Sequence, residues 1–388
     1  MTILLLIIIY LSFISLGLPD SLLGSAWPSM YQSLTVPVHY AGIISMIIAG
    51  GTVISSIFSE KIIKRLGTGI VTVISVSLTA GALISFSFSY SFIAVCLCAI
   101  PLGLGAGSVD AALNNYVALH YKAKHMSWLH CFWGVGASIG PLIMSAYLMH
   151  GIAWNVGYRT IGGMQLFLVI LLSVSLPLWK KKTAQQQEKT TSSVLTFKEL
   201  LKITGVKQIL IAFFCYCSIE SITGLWGSSY MVQIKQKAPD IASRWIAWYY
   251  IGITFGRFIS GFLTILLTST RMIRVGQGLI AGGIIALLLP FDPLVLPGFF
   301  MIGLGCAPIF PSLLHETPKH FGTEYSQAIM GIQMASAYIG TTLMPPLFGR
   351  IAAHVNFALF PFYIGILLII KIIMVETVHI KIKNHPVP

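Results

Sequence analysis

Four acids stand inside or at the margin of long apolar runs: Asp20, Asp110, Glu220 and Glu316. A charge at the centre of a bilayer costs from about 2.5 kcal/mol upward, so an acid kept there usually faces a cavity and serves passage of a solute or ion. Asp20 sits in Leu16 to Pro28, LGLPDSLLGSAWP, where two glycines and two prolines interrupt an otherwise apolar stretch. At helical spacing it shares a face with Gly24 and Trp27, which puts an acid, a notch exposing backbone and an aromatic platform on one wall. A local role competes with this: Pro19 favours a break, and an acid just after it can cap the following half-helix. Asp110 heads a second polar face, with Gly103 at i−7, Gly107 at i−3 and Asn114 at i+4. A carboxylate and an amide there can accept and donate to a hydroxylated molecule, or simply join two helices. Glu220 opens Glu220 to Trp226, ESITGLW, which repeats the acid, serine and glycine of Asp20 to Gly24. It either lines the same cavity or is held by a cation such as Arg257. Asp20, Asp110 and Glu220 are therefore the candidates for binding a transferable proton.

His130, Trp133, Gln333 and Tyr338, with Trp27 and Asn114, are the candidates for holding a small polar solute; Gln327, Trp248 and Tyr249 could complete the set. A pyranose ring offers an apolar face to aromatics and a rim of hydroxyls to amides and acids, which is the mixture these residues supply. Each aromatic has a plainer alternative, as a bilayer-facing or packing side chain. Catalytic patterns fail. His315-Glu316 is followed by His320 at i+5 from the first His, and Pro318 is expected to interrupt the helix, so neither a metalloprotease motif nor a metal site is expected. Trp226 to Tyr230 lacks the second glycine of a nucleophile elbow, and Gly103 to Gly107 follow no strand. All six cysteines fall in apolar runs, and neither Cys96-x-Cys98 nor Cys215-x-Cys217 has zinc spacing. No enzyme activity, metal or cofactor is expected; the coupling ion would be a proton, with sodium as the other possibility.

The elements that must position these residues follow from composition. Hydrophobic residues make up 56 % of the 388, only 9 % are charged, and mean hydropathy is +0.86; a soluble chain carries about 25 % charged residues. Apolar runs of membrane-crossing length recur between short polar loops, which predicts an all-α polytopic membrane protein and not a barrel. Twelve spans are read, near residues 3–31, 38–59, 69–90, 92–119, 127–149, 158–179, 207–232, 242–267, 272–289, 294–316, 325–349 and 355–376. The first is too long for a signal-peptide core and no basic segment precedes it, so it is expected to be retained. The net charge of +13 falls on alternate loops: Lys61, Lys64 and Arg65, then Lys122 and Lys124, then Lys180 to Lys202, then Arg271 and Arg274, Lys319, and Lys381 and Lys383. By the positive-inside rule both termini are cytoplasmic, and the basic balance sets topology without a nucleic-acid partner. The polar stretch KKKTAQQQEKTTSSVLTFKELLK divides six spans from six. Residues 1–182 and 205–388 are accordingly two six-helix bundles, joined by a cytoplasmic linker at 183–204 with a short amphipathic piece near Phe197 to Leu201.

The halves are related. Leu102 to Tyr121, LGLGAGSVDAALNNYVALHY, matches Ile302 to Phe321, IGLGCAPIFPSLLHETPKHF, at an offset of 200: Gly103, Gly105 and His120 recur as Gly303, Gly305 and His320. Gly140 recurs as Gly340, and, one residue short of that offset, Trp27 as Trp226. Duplication in so apolar a chain points to two parallel halves around a central site. The copies differ where chemistry is expected: Asp110 becomes Phe310, Asn114 becomes Leu314, and Pro308 and Pro311 enter the tenth span.

The turn Ser59-Glu60-Lys61-Ile62-Ile63-Lys64-Arg65-Leu66-Gly67 resembles the acid, basic and glycine signature between spans 2 and 3 of the major facilitator superfamily, and Gly256 to Gly261, GRFISG, resembles its second-half counterpart. That resemblance implies a major facilitator fold, with Glu60, Lys64, Arg65 and Arg257 in gating. Within the superfamily, Leu16 to Met30, the Asp110 span and Leu129 to Ile143, LHCFWGVGASIGPLI, resemble the fucose:proton symporter family, in which acids of spans 1 and 4 serve proton coupling and sugar recognition. These acids fall on Asp20 and Asp110, although the span 4 acid of that family is characteristically Glu. The expectation is a monomeric, proton-coupled symporter of a monosaccharide or similar solute in the inner (plasma) membrane. The alternative is a proton-driven exporter of drugs or metabolites, with a larger and more apolar cavity.

Overall fold

Where water is absent, a chain must satisfy its backbone groups internally, and a run of about 20 apolar residues does so only as a helix. The computed structural model describes residues 2–121, 123–179, 197–263 and 266–384. Its helices are α1 (Thr2–Asp20), α2 (Leu22–Ser33), α3 (Ala41–Leu66), α4 (Thr68–Ser87), α5 (Phe92–His120), α6 (Ala123–Met149) and α7 (Trp154–Ser175) in the first half. A one-turn α8 (Phe197–Leu200) follows, with Leu200 buried against the second half and Lys198 and Glu199 exposed. The second half holds α9 (Val206–Gln233), α10 (Pro239–Leu263), α11 (Ser269–Leu288), α12 (Val295–Cys306), α13 (Ile309–Phe321), α14 (Thr323–His354) and α15 (Phe360–Asn384). Most of the linker expected at 183–204 lies outside the described residues.

Ten helical stretches among the described residues are long and apolar enough to cross a membrane. α10 and α14, 25 and 32 residues long, occupy the eighth and eleventh places and are less uniformly apolar. α1 with α2, and α12 with α13, each form one crossing interrupted near its middle. The first break falls at Ser21, just after Pro19 removes a donor. Neither Asp20 nor Ser21 caps α2: the Ser21 hydroxyl turns back to donate to the Leu18 carbonyl, 3.3 Å away. The second break falls at Ala307 and Pro308. Pro318, by contrast, does not interrupt α13, which runs through it to Phe321.

The helix pairs explain the repeat. α5 packs on α3 and α4 as α12 packs on α10 and α11, and α6 packs on α1 as α14 packs on α9. The recurrent glycines sit at these contacts. A Cβ on Gly103 would run into the Ile48 carbonyl of α3, and one on Gly303 into the Tyr249 carbonyl of α10. Gly140 approaches the Leu18 carbonyl and Gly340 the Phe214 carbonyl in the same way. Only a residue without a side chain allows backbones this close. Trp27 and Trp226 are both fully buried, and their indoles donate to the carbonyls of Val38 (2.5 Å) and Pro345 (2.8 Å).

Contacts between the halves run from the middle of the bundle toward the end opposite the termini. There α6 lies along α10, α2 against α9 and α3 against α14. Ser145 donates to the Asp240 carbonyl at 2.8 Å, Ser243 to the Pro141 carbonyl at 2.9 Å, and Gln233 to the Tyr31 hydroxyl at 3.1 Å. Gly24 meets Gly224, and Gly42 meets Pro346, with no room for a Cβ.

Candidate functional site

The break after Pro19 leaves Asp20 at the end of a half-helix in mid-bundle, with its side chain exposed although helices surround it. Its Oδ2 accepts a 2.7 Å hydrogen bond from the Trp133 indole of α6, and its carboxylate interacts electrostatically with that of Asp110. His130, one turn before Trp133, is also exposed, with its ring edge against Phe13 at 5.9 Å. An acid, an imidazole and an indole therefore share an open wall of the first half. Asp110 of α5 is half-buried, and Asn114 donates to its Oδ1 (2.9 Å) and its carbonyl (3.0 Å). That bond stays within one helix and does not join two; the Asn114 Oδ1 is left buried without a partner.

The second half reaches this wall through α10. The Arg257 guanidinium lies over the Trp133 ring, 4.9 Å from its centroid, and one of its nitrogens is 3.6 Å from Glu220 Oε1. Tyr216, one turn before Glu220, donates a short hydrogen bond to Glu220 Oε2, and Tyr249 donates to the Glu220 carbonyl at 2.9 Å. Tyr250 lies near both Asp20 and Glu220. The result is one continuous ladder across the halves: Asp20, Trp133, Arg257, Glu220, Tyr216. A second approach comes from α14, where Tyr338 lies near Ser56 of α3 and near Asp110.

Arg257, expected in gating by resemblance and also as a cation that could hold Glu220, lies within α10, in the central ladder and paired with Glu220. Lys64 and Arg65 are exposed in the last turn of α3, and the side chain of Glu60 lies outside the described residues, as does that of Gln327. Trp27 offers no open platform, since it is wholly packed. Gln333 is equally enclosed, exchanging hydrogen bonds with Thr317 at 3.0 and 3.1 Å inside the second half. Trp248 is 40 % exposed and packs its edge on Phe300, away from the ladder. Tyr216 and Tyr250 were not singled out from sequence. The signal was present: Tyr216 is at i−4 from Glu220 and Tyr250 at i−7 from Arg257, each on the face of a charged residue.

With this geometry established, comparison with known proteins places the chain. The family model described as the Major Facilitator Superfamily matches residues 9–239. The chain belongs to the Major Facilitator Superfamily. No curated protein matches it. Among solved structures, this superfamily chain is similar to a bacterial homolog of the human lysosomal transporter Spinster in an inward-facing, unoccupied conformation (11 % identity, 99 % of this chain and 98 % of that one, TM-score 0.76). It is also similar to a mutant of the nucleoside transporter NupG (15 %, 95 % and 98 %, TM-score 0.77) and to a mutant of the peptide transporter POT bound to sulfate (13 %, 95 % and 93 %, TM-score 0.74). At these identities the likeness establishes the fold. The superfamily makes this a multi-pass membrane transporter of a small-molecule solute and not an enzyme; the fucose:proton symporter subfamily stays a matter of motif resemblance.

Proposed function

We propose that this chain is a secondary active transporter that carries a monosaccharide or similar small polar solute inward with protons, by alternating access between its halves. The observation that carries this reading is the ladder from Asp20 through Trp133 and Arg257 to Glu220. It links an exposed acid of one half, through Trp133, to an ion pair of the other, so a change of charge at Asp20 acts toward the interface that must move. Asp20, with Asp110 nearby, takes the proton; His130, Trp133, Asn114 and Tyr338 surround the solute. Protonation of Asp20 removes the charge that accepts the Trp133 hydrogen bond, and Trp133 in turn carries Arg257, so that change biases the two-state equilibrium of the halves. Sodium is the competing coupling ion.

Positive loops at the terminal end support cytoplasmic placement of both termini, with the plasma membrane as the proposed location. In that orientation the contacts of α2, α3 and α6 with the second half close the outer side. A monomer suffices for this reading, since each chain contains a full ladder.

Counterflow and uptake in proteoliposomes test the reading. Sugar accumulation should follow an imposed pH gradient, inside alkaline, and Asp110→Asn should abolish accumulation while leaving a folded protein. Uptake indifferent to the gradient would refute proton coupling, and accumulation at the wild-type rate in Asp110→Asn would refute that acid's role. Drug resistance on expression, with no sugar counterflow, would favour export.

A further inference from the structure

Far from the ladder, at the terminal end of the second half, three potential metal ligands converge. Glu316 and His320 lie one turn apart on α13, which is possible only because that helix continues through Pro318. His379 reaches them from α15, 59 positions further along the chain from His320. Glu316 Oε2 is 3.2 Å from His379 Nε2 and 3.7 Å from His320 Nε2, and all three ligand atoms lie within 4.8 Å of one another. We propose that Glu316, His320 and His379 form a binding site for a divalent transition metal, Zn²⁺ foremost, that ties α13 to α15.

The geometry fits that ion. Zn–N and Zn–O bonds of about 2.0–2.2 Å in a tetrahedron place ligand atoms roughly 3.4 Å apart. Two of the three separations already agree, and the two imidazoles, packed edge to face at 82°, need only a small rotation to bring in the third. Two imidazoles and one carboxylate are a donor set suited to Zn²⁺ and not to Ca²⁺ or Mg²⁺, which prefer oxygen. The site is preorganised: Thr270 of α11 donates to Glu316 Oε1 at 2.5 Å, which directs Oε2 at the histidines. All three side chains are largely shielded, Glu316 to 8 % exposure and the histidines to 15 and 18 %. Nearby cations limit the affinity: Lys319 acts on His320, and Arg274 acts on Glu316, though Arg274 forms two hydrogen bonds with Glu376. The His379 Nδ1 is buried without an acceptor, so the metal lacks one outer-shell support and binds reversibly.

The test uses tag-free full-length protein in detergent, stripped with chelator and titrated with Zn²⁺ or Co²⁺. One equivalent of Zn²⁺ should bind at micromolar concentration and raise the melting temperature, and Co²⁺ should give a ligand-field spectrum with nitrogen donors. His320→Gln and His379→Gln should each weaken binding tenfold or more, while His315→Gln, whose imidazole bonds Ser269 instead, should bind as wild type. Should the variants fail to fold, carbethoxylation of the wild type followed by mass spectrometry decides: Zn²⁺ should protect His320 and His379 but not His315. Absence of stoichiometric binding, unchanged affinity in His379→Gln, or equal modification of the three histidines with and without Zn²⁺ would overturn the site.

Discussion

At Trp133 one side chain carries two different contacts, and they can be separated. The indole nitrogen donates to Asp20 while the ring face supports Arg257. Trp133→Phe keeps the second and deletes the first. A hydrogen bond to a charged group is worth about 1.5–3 kcal/mol, so flux at subsaturating solute should fall roughly tenfold or more, with the melting temperature nearly unchanged. Equal loss in Trp133→Phe and Trp133→Ala would show that the ring, and not the donor, matters. Arg257 and Glu220 form the other pair open to dissection. Removing Arg257 leaves Glu220 with only its tyrosine partner, so Arg257→Gln and Glu220→Gln should each disable transport. The double variant should be less harmful than the sum, with a coupling of about 0.5–3 kcal/mol in a double-mutant cycle. Strict additivity in thermal stability and counterflow would disconnect them.

Among the helices, glycine sets how close two backbones come. Gly103→Ala and Gly303→Ala each drive a Cβ into a backbone carbonyl that cannot yield, at Ile48 and Tyr249. Overpacking of this kind costs about 1–3 kcal/mol. Gly81 and Gly163 also lie in helices, but nothing stands within 4 Å of a Cβ there. Their alanine variants should be neutral or stabilised by up to about 1 kcal/mol through helix propensity. Thermal unfolding in one detergent would compare all four, and equal melting temperatures would contradict the packing account. The helix breaks distinguish the halves in another way. In the first half the break bares Asp20, whereas its partner crossing α9 is continuous and presents Glu220 from an intact helix. The second-half counterpart of Asp110, Phe310, packs on Phe213 and Tyr216 instead of facing a polar partner.

For the molecule as a whole, the halves hold together at the end opposite the termini through Ser145, Ser243 and Gln233. If transport requires these contacts to part, fixing them should stop it. Tyr31→Cys with Gln233→Cys, in a background whose six native cysteines are replaced, should lose flux when bridged by a bifunctional thiol reagent and regain it on reductive release. Undiminished flux in the bridged protein would exclude rocking at this seam. The repeated glycines were legible as a duplication because each fills the same contact in its own half, whereas the two buried tryptophans donate to different places, Trp27 to Val38 ahead of α3 and Trp226 to Pro345 within α14. Arg257 was legible as a cation that could hold Glu220, but not as a rung of a ladder: only the packing of α6 on α10 brings the Trp133 ring under its guanidinium.

Composition and periodicity determined the membrane class, the order of the crossings and the candidate acids, because burial of polar groups in lipid restricts both chain conformation and charge. Which polar residues meet was decided only by tertiary structure. Asp20 could cap a helix or face a cavity on the evidence of its neighbours in the chain, and the deciding partner, Trp133, lies 113 residues away. Trp27 and Gln333 had the right chemistry for a solute but are sealed by packing. Glu316 and His320 lacked their third ligand until α15 brought His379 beside them. Local sequence specifies faces and breaks; helix packing specifies which faces are joined.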